Sequence, residues 1–168
     1  MKSSVIGGGS WGTALAAVLA EKGPVTQWAR DPLVADGINR DRRNPRYQSD
    51  LSLPDSLTAT SVLAEALEGA ELVCVVVPSH AMRSVMTEAA PYLRAGVPLV
   101  SASKGIENET LMTMEEVISE VIDPACRSDL SFLSGPSFAR ETLLKMATAV
   151  TVAARFPNVA EMVQRAFS

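Results

Sequence analysis

Three glycines near the N-terminus, Gly7, Gly9 and Gly12, constrain the fold of this 168-residue chain more than any other feature. They fit the pattern Gly-x-Gly-x-x-Gly, follow a short apolar run, and open an Ala- and Leu-rich run that ends at Gly23. In a strand–turn–helix unit the first glycine permits a tight turn, the second lets a pyrophosphate approach the backbone, and the third lets helix and strand pack closely. Glycine spacing alone also occurs in flexible loops and methyltransferases. The flanking elements therefore carry the prediction of a dinucleotide-binding site.

Length, charge and cysteine content narrow the function classes. A chain of 168 residues, 47% hydrophobic and 20% charged, predicts a single globular domain over residues 1–168. A net charge of -4 argues against binding to nucleic acid. Cys74 and Cys126 belong to no CxxC or Cys/His cluster, which indicates neither a disulfide nor a metal site. The uncharged stretch 3–20 contains four glycines, so we expect no signal peptide, no membrane insertion and a cytoplasmic location.

Short apolar runs alternate with helical patterns along the whole chain. The run 72–77 is apolar and mostly β-branched, as expected of a central parallel strand covered on both faces. The pattern predicts an α/β fold with a doubly wound, mostly parallel sheet of the Rossmann type and helices on both faces. We predict later strands at 25–28, 57–60, 72–77, 98–103, 130–134 and 147–154, and helices at 13–22, 33–43, 61–69, 80–92, 111–122 and 158–167.

The residues after the second predicted strand bear on the choice of cofactor. In dinucleotide folds an acidic residue about 20 positions beyond the glycines binds the ribose 2′-hydroxyl, whereas an arginine accommodates a 2′-phosphate. Arg30 can offer a charge-assisted fork to a phosphate or stack on adenine, and Asp31, directly before Pro32, is better placed as the N-cap of the next helix. This favours NADP over NAD; the alternative is that Arg30 is a solvated surface residue.

A basic cluster follows in the second predicted helix and the loop after it. The cluster has two interpretations. It could bind an anionic ligand, or it could be a solvated helix end and loop whose positive charge is diluted by neighbouring aspartates; the second interpretation is the simpler one. The cluster consists of Arg40, Arg42, Arg43 and Arg46, and the diluting residues are Asp36, Asp41 and Asp50.

Three later turns should face the same crevice, because ligands of open parallel sheets lie beyond the carboxyl ends of the strands. Pro78 and the single histidine, His80, form the first turn, and His80 is either a general base or a local hydrogen-bonding residue. Lys104 could hold a substrate phosphate or a polarised carbonyl, the alternative being a surface lysine. Gly135 and Ser137 offer backbone donors and a hydroxyl beside a helix start.

In their order along the chain, these turns resemble those of bacterial NAD(P)-dependent glycerol-3-phosphate dehydrogenase. The resemblance covers essentially all 168 residues and is carried by six motifs: Gly7–Ala14, Trp28–Arg30, Asn44–Tyr47, Val77–His80, Ser103–Glu107 and Gly135–Ala139. It implies reversible hydride transfer between the nicotinamide of NAD or NADP and C2 of a triose phosphate. Dihydroxyacetone phosphate would become sn-glycerol 3-phosphate, a precursor of membrane phospholipids.

The resemblance also implies roles for individual residues. Together with the turn residues argued above, the expected cofactor contacts are Gly7, Gly9, Ser10, Trp11, Gly12, Arg30, Pro78, Lys104 and Ala139. The expected substrate contacts are Lys104, Gly135 and Ser137, with Lys104 in an auxiliary catalytic role. No metal is expected.

Two departures from the family pattern limit this inference. Where the family usually has a glycine followed by Pro-Thr-Ala, this chain has Lys145-Met146-Ala147-Thr148-Ala149. The family also has a helical C-terminal domain that supplies the principal catalytic lysine, which we expect to be absent from these residues. The chain then resembles the cofactor half of an enzyme that, at full length, could be a homodimer. The alternatives are a non-catalytic NAD(P)H-sensing module and a related two-domain dehydrogenase of 3-hydroxy acids or nucleotide sugars.

Overall fold

A computed structural model describes all 168 residues and contains one seven-stranded sheet. Its strands run in the order β3-β2-β1-β4-β5-β6-β7. All neighbours are parallel except β6 and β7, which are antiparallel. The mostly parallel, doubly wound α/β fold is thereby confirmed. The strands are β1 Ser3–Ile6, β2 Val25–Trp28, β3 Leu57–Thr60, β4 Leu72–Val75, β5 Leu99–Ser101, β6 Leu130–Ser134 and β7 Thr151–Ala154.

Seven α-helices cover the two faces of this sheet. Alternate side chains of one strand enter opposite cores, so Val5 packs in one core with the helices at 10–20, 32–41 and 157–167, while Ile6 packs in the other with those at 63–67, 79–89 and 114–121. No helix has both the length and the apolar composition needed to span a membrane. The helices are α1 Ser10–Ala20, α2 Pro32–Asp41, α3 Leu63–Leu67, α4 Ser79–Ala89, α5 Met114–Val121, α6 Ala139–Leu143 and α7 Pro157–Phe167, with 3-10 turns at Ala90–Tyr92 and Pro124–Asp129.

Several predicted elements extend beyond the observed ones. The predicted strand 72–77 ends at Val75, because the backbone leaves the ladder and the Val77 N–H donates to Ser103 Oγ instead. The predicted strands 98–103 and 147–154 shorten to β5 and β7. The predicted helix 111–122 begins only at Met114, since Thr113 forms a capping box with Glu116. Helix α1 instead begins three residues earlier than predicted, at Ser10.

The departure at Lys145 has a structural explanation in the end of α6. The Met146 N–H donates to the carbonyl of Glu141 and the Lys145 N–H to that of Thr142, which is a Schellman motif. This motif needs a left-handed residue after the helix, and Lys145 adopts φ +59° there. Glycine normally occupies that conformation without steric cost. The backbone turn is therefore formed without glycine, at the expense of strain in Lys145.

We expect Lys145→Gly to raise the free energy of unfolding by about 1 kcal/mol, because glycine relieves the left-handed strain. The lost ion pair between Lys145 and Glu21 joins two exposed side chains, so it offsets little of this gain. Urea denaturation measures the change. The matched control is Leu144→Gly, one residue earlier at φ −79°, which should lower stability. A loss of stability in Lys145→Gly would contradict the explanation.

Candidate functional site

The sheet opens a crevice where its strand order reverses. From β1 the chain proceeds outward to β2 and β3, then returns to β4 on the other side of β1 and continues to β7. Loops leaving the carboxyl ends of β1 and β4 therefore diverge, which is where open α/β sheets bind ligands. The crevice has a volume of about 450 Å³. Its walls comprise Gly7, Gly8, Gly9, Trp28, Ala29, Arg30, Asp31, Val34, Arg46, Tyr47, Val76, Val77, Pro78, His80 and Ala81.

The three motif glycines meet different surroundings. Gly7 has φ +142°, and a Cβ there would lie 2.1 Å from the carbonyl oxygen of Val76. A Cβ on Gly12 would lie 2.3 Å from the carbonyl oxygen of Gly7, so Gly12 allows α1 to pack on the turn. Gly9 has an ordinary φ of −78°, and no atom lies within 4 Å of its virtual Cβ. Gly7 and Gly12 thus serve the fold, whereas Gly9 leaves space for a ligand.

Buried polar side chains hold the glycine turn from below. Gln27 Nε2 donates to the Gly7 carbonyl at 2.7 Å, and Asn44 Nδ2 donates to the Gly8 carbonyl at 3.0 Å. Both amides also donate to Thr13 Oγ1, at 3.2 and 2.8 Å. Sequence reasoning missed this cluster. Its one signal was a glutamine on the same strand face as the buried Val25.

The turn presents unsatisfied donors as well as open space. The carbonyls of Gly7 and Gly8 accept the buried amides, and that of Gly9 accepts the Thr13 N–H at 2.9 Å. The backbone N–H groups of Gly8, Gly9, Ser10 and Trp11 have no acceptor within the protein. Free N–H groups at a helix N-terminus are suited to an anion, and the helix dipole adds to the attraction. The donor set fits a pyrophosphate.

The predicted cofactor residues fall into three places. Gly7, Gly9, Arg30 and Pro78 line the crevice. Ser10 begins α1, where its Oγ accepts a hydrogen bond from Gln48 Nε2, and Gly12 is buried beneath the turn. Trp11 lies in a separate groove of about 240 Å³ that also contains Leu15, Met146 and Phe167, and its Nε1–H is buried without a partner.

The remaining predicted residues meet at the carboxyl ends of β5 and β6. Lys104 Nζ donates to the Gly135 carbonyl at 3.5 Å, and Ser137 Oγ donates to the same carbonyl at 3.4 Å. Ala139 begins α6 two residues further on. The structure therefore brings Lys104, Gly135 and Ser137 together, as expected for residues that share one ligand. Lys104 is exposed, which leaves its ammonium group accessible.

An ion pair anchors the loop that carries Lys104. The carboxylate of Glu107 accepts two hydrogen bonds from Arg83 of α4, Nε to Oε1 at 2.9 Å and Nη2 to Oε2 at 2.8 Å. Arg83 Nη1 also donates to Glu120 of α5, and Thr110 donates to Glu107. The Arg83 contacts, reinforced by Thr110, lower the pKa of Glu107 to about 2. Sequence reasoning did not single out this pair, because its partners are 24 residues apart.

His80 and the basic cluster show no catalytic arrangement. His80 lines the crevice, but it is exposed and hydrogen-bonds to no carboxylate. Arg40 pairs with Asp41, Arg42 with Asp55, and Arg43 donates to the Ser49 carbonyl. Exposed Arg40 and Arg43 agree with the solvated interpretation, half-buried Arg42 also donates to the Leu57 carbonyl, and Arg46 lines the crevice. No group of three or more His, Cys, Asp or Glu side chains is arranged to hold a metal ion.

We expect Gly9→Val to fold and to lose dinucleotide binding, because its side chain would enter the space above the free N–H groups. Valine is a poor N-cap, so stability should fall by about 1 kcal/mol. Gly12→Val should lower the free energy of unfolding by about 3 kcal/mol or more, since its Cβ would overlap the Gly7 carbonyl. Thermal unfolding and NADPH fluorescence titration separate the two effects. Unchanged NADPH affinity in Gly9→Val would refute the assigned binding place.

Glu107→Gln should lower the free energy of unfolding at neutral pH and have progressively less effect in acid. The folded pKa is depressed from 4.5 to about 2, so the stabilisation is complete above about pH 4.5 and is lost as the pH falls towards 2. Urea denaturation across this range measures the difference between the variants. Glu109→Gln is the matched control, because exposed Glu109 makes no ion pair. A difference independent of pH would contradict the role of the ion pair.

Comparisons with known proteins agree with this geometry. Residues 2–160 match the family model described as NAD-dependent glycerol-3-phosphate dehydrogenase N-terminus. Glycerol-3-phosphate dehydrogenase [NAD(P)+] of Anaeromyxobacter sp. (strain K) is 52% identical over 99% of this chain and 51% of that protein. The Geobacter sulfurreducens enzyme of the same name is 47% identical over 98% of this chain and 49% of its own length.

Solved structures give the same result. Glycerol-3-phosphate dehydrogenase from Coxiella burnetii superposes with a TM-score of 0.90 at 30% identity, over 99% of this chain and 50% of that one. The Plasmodium falciparum enzyme gives a TM-score of 0.88 at 25% identity, over 100% and 50%. This chain thus spans about half the length of these relatives. It belongs to the family of NAD-dependent glycerol-3-phosphate dehydrogenase N-terminal domains.

Proposed function

We propose that this chain binds NAD(P)H and supplies the cofactor-binding part of an sn-glycerol-3-phosphate dehydrogenase. The carrying observation is the set of free N–H groups from Gly8 to Trp11, which surrounds open space at Gly9 where the sheet order reverses. The names of the relatives support glycerol 3-phosphate as the substrate, and the resemblance implies dihydroxyacetone phosphate as its oxidised counterpart. The product would serve phospholipid synthesis, as the resemblance implies.

The residues at the crevice divide the work of this reaction. A bound NAD(P)H would supply hydride chemistry at C2 of the substrate, and the residues of this chain would bind and orient it. Gly8, Gly9 and the start of α1 would hold its pyrophosphate through their free backbone N–H groups. Arg30 faces the crevice at the end of β2 and makes no internal ion pair, which leaves it free for the 2′-phosphate of NADP. NADPH is therefore the proposed preferred cofactor.

Lys104 is proposed to act at the substrate end. Reduction of a ketone develops negative charge on its oxygen, and a nearby ammonium group stabilises that charge. Lys104 lies beside Gly135 and Ser137, whose N–H and hydroxyl groups can hold the substrate phosphate. Lys104 is the auxiliary group in this proposal, because the resemblance implies a principal proton donor in a further helical domain.

A cytoplasmic location is proposed for this protein. Cys74 and Cys126 are both buried free thiols, which is compatible with a reducing cytoplasm. Homodimerisation of the longer enzyme is a prediction from the resemblance.

We expect the 168-residue chain to bind NADPH but to reduce dihydroxyacetone phosphate at a rate near background. Extending it by a relative's helical domain should restore turnover, since a positioned acid typically contributes about 10²–10⁴-fold. In that longer protein Lys104→Ala should reduce kcat/KM about 100-fold or more. Lys2→Ala is the matched control, because Lys2 precedes β1 at the opposite end of the sheet. The turnover rate is measured as the decrease in NADPH absorbance with time.

The outcomes separate the candidate functions. Rapid turnover by the 168 residues would place the proton donor within them and make His80 the first residue to substitute. NADPH binding with no turnover in the extended protein would favour the sensing module over the enzyme. Equal losses in Lys104→Ala and Lys2→Ala would contradict the proposed role of Lys104.

A further inference from the structure

An ion pair stands in the crevice wall at the carboxyl end of β2. Arg46 places Nε 3.0 Å and Nη2 2.8 Å from Oδ2 of Asp31. The other oxygen, Oδ1, accepts the Leu33 N–H at 3.0 Å as the N-cap of α2. Asp31 is the only acidic residue in this wall. Both of its oxygens are therefore engaged within the protein.

This engagement matters because of the ligand expected here. In dinucleotide folds the end of the second strand faces the 2′ position of the adenosine ribose, and a free carboxylate there accepts the ribose hydroxyl. The Arg46 guanidinium and the Leu33 N–H hold the pKa of Asp31 below its ordinary value, so it stays ionised. An unpaired ionised Asp31 would favour the NAD hydroxyl and repel the NADP phosphate. Arg46 cancels that charge.

The position of Arg46 is fixed by the same side chain that holds the glycine turn. Asn44 Oδ1 accepts the N–H groups of Arg46 at 3.0 Å and Tyr47 at 3.2 Å. Asn44 Nδ2 meanwhile donates to the Gly8 carbonyl, and Asn44 is only 1% exposed. The buried Asn44 amide thus sets the distance between Arg46 and the glycine turn, where we expect the pyrophosphate to bind. The guanidinium stays near the ribose end of the crevice even though it arrives from another loop.

We propose that Arg46 is a cofactor-specificity residue: it neutralises Asp31 and, together with Arg30, presents a second guanidinium to the 2′-phosphate of NADP. This deepens the proposed function, on which it rests for the presence of a dinucleotide. Arg30 supplies the unpaired cation, and Arg46 removes the opposing charge. NADH carries a hydroxyl at the 2′ position, so it gains nothing from the two guanidinium groups, and the engaged Asp31 offers that hydroxyl no free acceptor.

The test compares the affinities of NADPH and NADH for the 168-residue chain by fluorescence titration. Arg46→Ala should weaken NADPH about 10- to 100-fold and leave NADH unchanged or tighter, because Asp31 becomes free. Asp31→Asn should tighten NADPH, since asparagine keeps the N-cap of α2 while the negative charge is lost. The two substitutions therefore move NADPH affinity in opposite directions, which general damage to the fold would not do.

Arg43→Ala is the matched control. Arg43 belongs to the same loop as Arg46, but it lies outside the crevice wall and donates to the Ser49 carbonyl. It should change neither affinity beyond about twofold, the scale of a screened distant charge. Equal losses for NADPH and NADH in Arg46→Ala, or weaker NADPH binding in Asp31→Asn, would overturn the proposal.

Two further variants distinguish failure of the role proposed for Arg46 from failure of the proposed function. Arg30→Ala should weaken NADPH and spare NADH if the 2′ position lies where we place it. If Arg30→Ala discriminates between the cofactors and Arg46→Ala does not, only the role of Arg46 is wrong. If Gly9→Val binds both cofactors like the unchanged chain, the dinucleotide site itself is wrong.

Discussion

The hydrogen bonds from Gln27 and Asn44 to the glycine turn are the interaction on which the rest of the site depends. A turn that presents its N–H groups to an anion must satisfy its carbonyl oxygens elsewhere, because unpaired buried carbonyls are costly. The two amides do this for Gly7 and Gly8, and both also meet Thr13 at the start of α1. Strand β2, helix α1 and the loop after α2 are thereby joined at one point below the ligand space.

The edge of the sheet formed by the carboxyl ends of its parallel strands has two chemically different ends, which are held by separate contacts. At one end are the free N–H groups and the guanidinium groups of Arg30 and Arg46, suited to the phosphates of a dinucleotide. At the other end Lys104 lies beside Gly135, on a loop fixed to α4 by the Glu107 and Arg83 pair. Ser103 links the two ends, since its Oγ accepts the Val77 N–H beyond β4. Two groups of polar side chains thus lie on one sheet edge, and the hydrogen bond from Val77 to Ser103 joins them.

Local backbone conformation also explains how the chain tolerates its departure from the family pattern. Lys145 follows the C-cap of α6 in a left-handed conformation, which glycine adopts without steric cost. Its neighbour Met146 packs in the groove of Trp11, so the turn connects the predicted substrate segment with α1. The Schellman turn thus forms without glycine, with the strain located at Lys145.

The sequence by itself determined the fold class, the place of the crevice and part of its lining, namely Gly7, Gly9, Arg30 and Pro78. Strand periodicity and breaker residues are local signals, and β2, β3 and β6 have the predicted bounds. The meeting of Lys104 with Gly135 followed from a rule, because both residues come directly after parallel strands. Only the tertiary structure decided which polar side chains pair. Gln27 with Gly7, Arg46 with Asp31 and Arg83 with Glu107 join residues 15 to 24 positions apart. Each charged or amide side chain has several chemically equivalent partners in the sequence. The partner it bonds to is the one that the loop paths and side-chain directions of the folded chain bring within hydrogen-bonding distance.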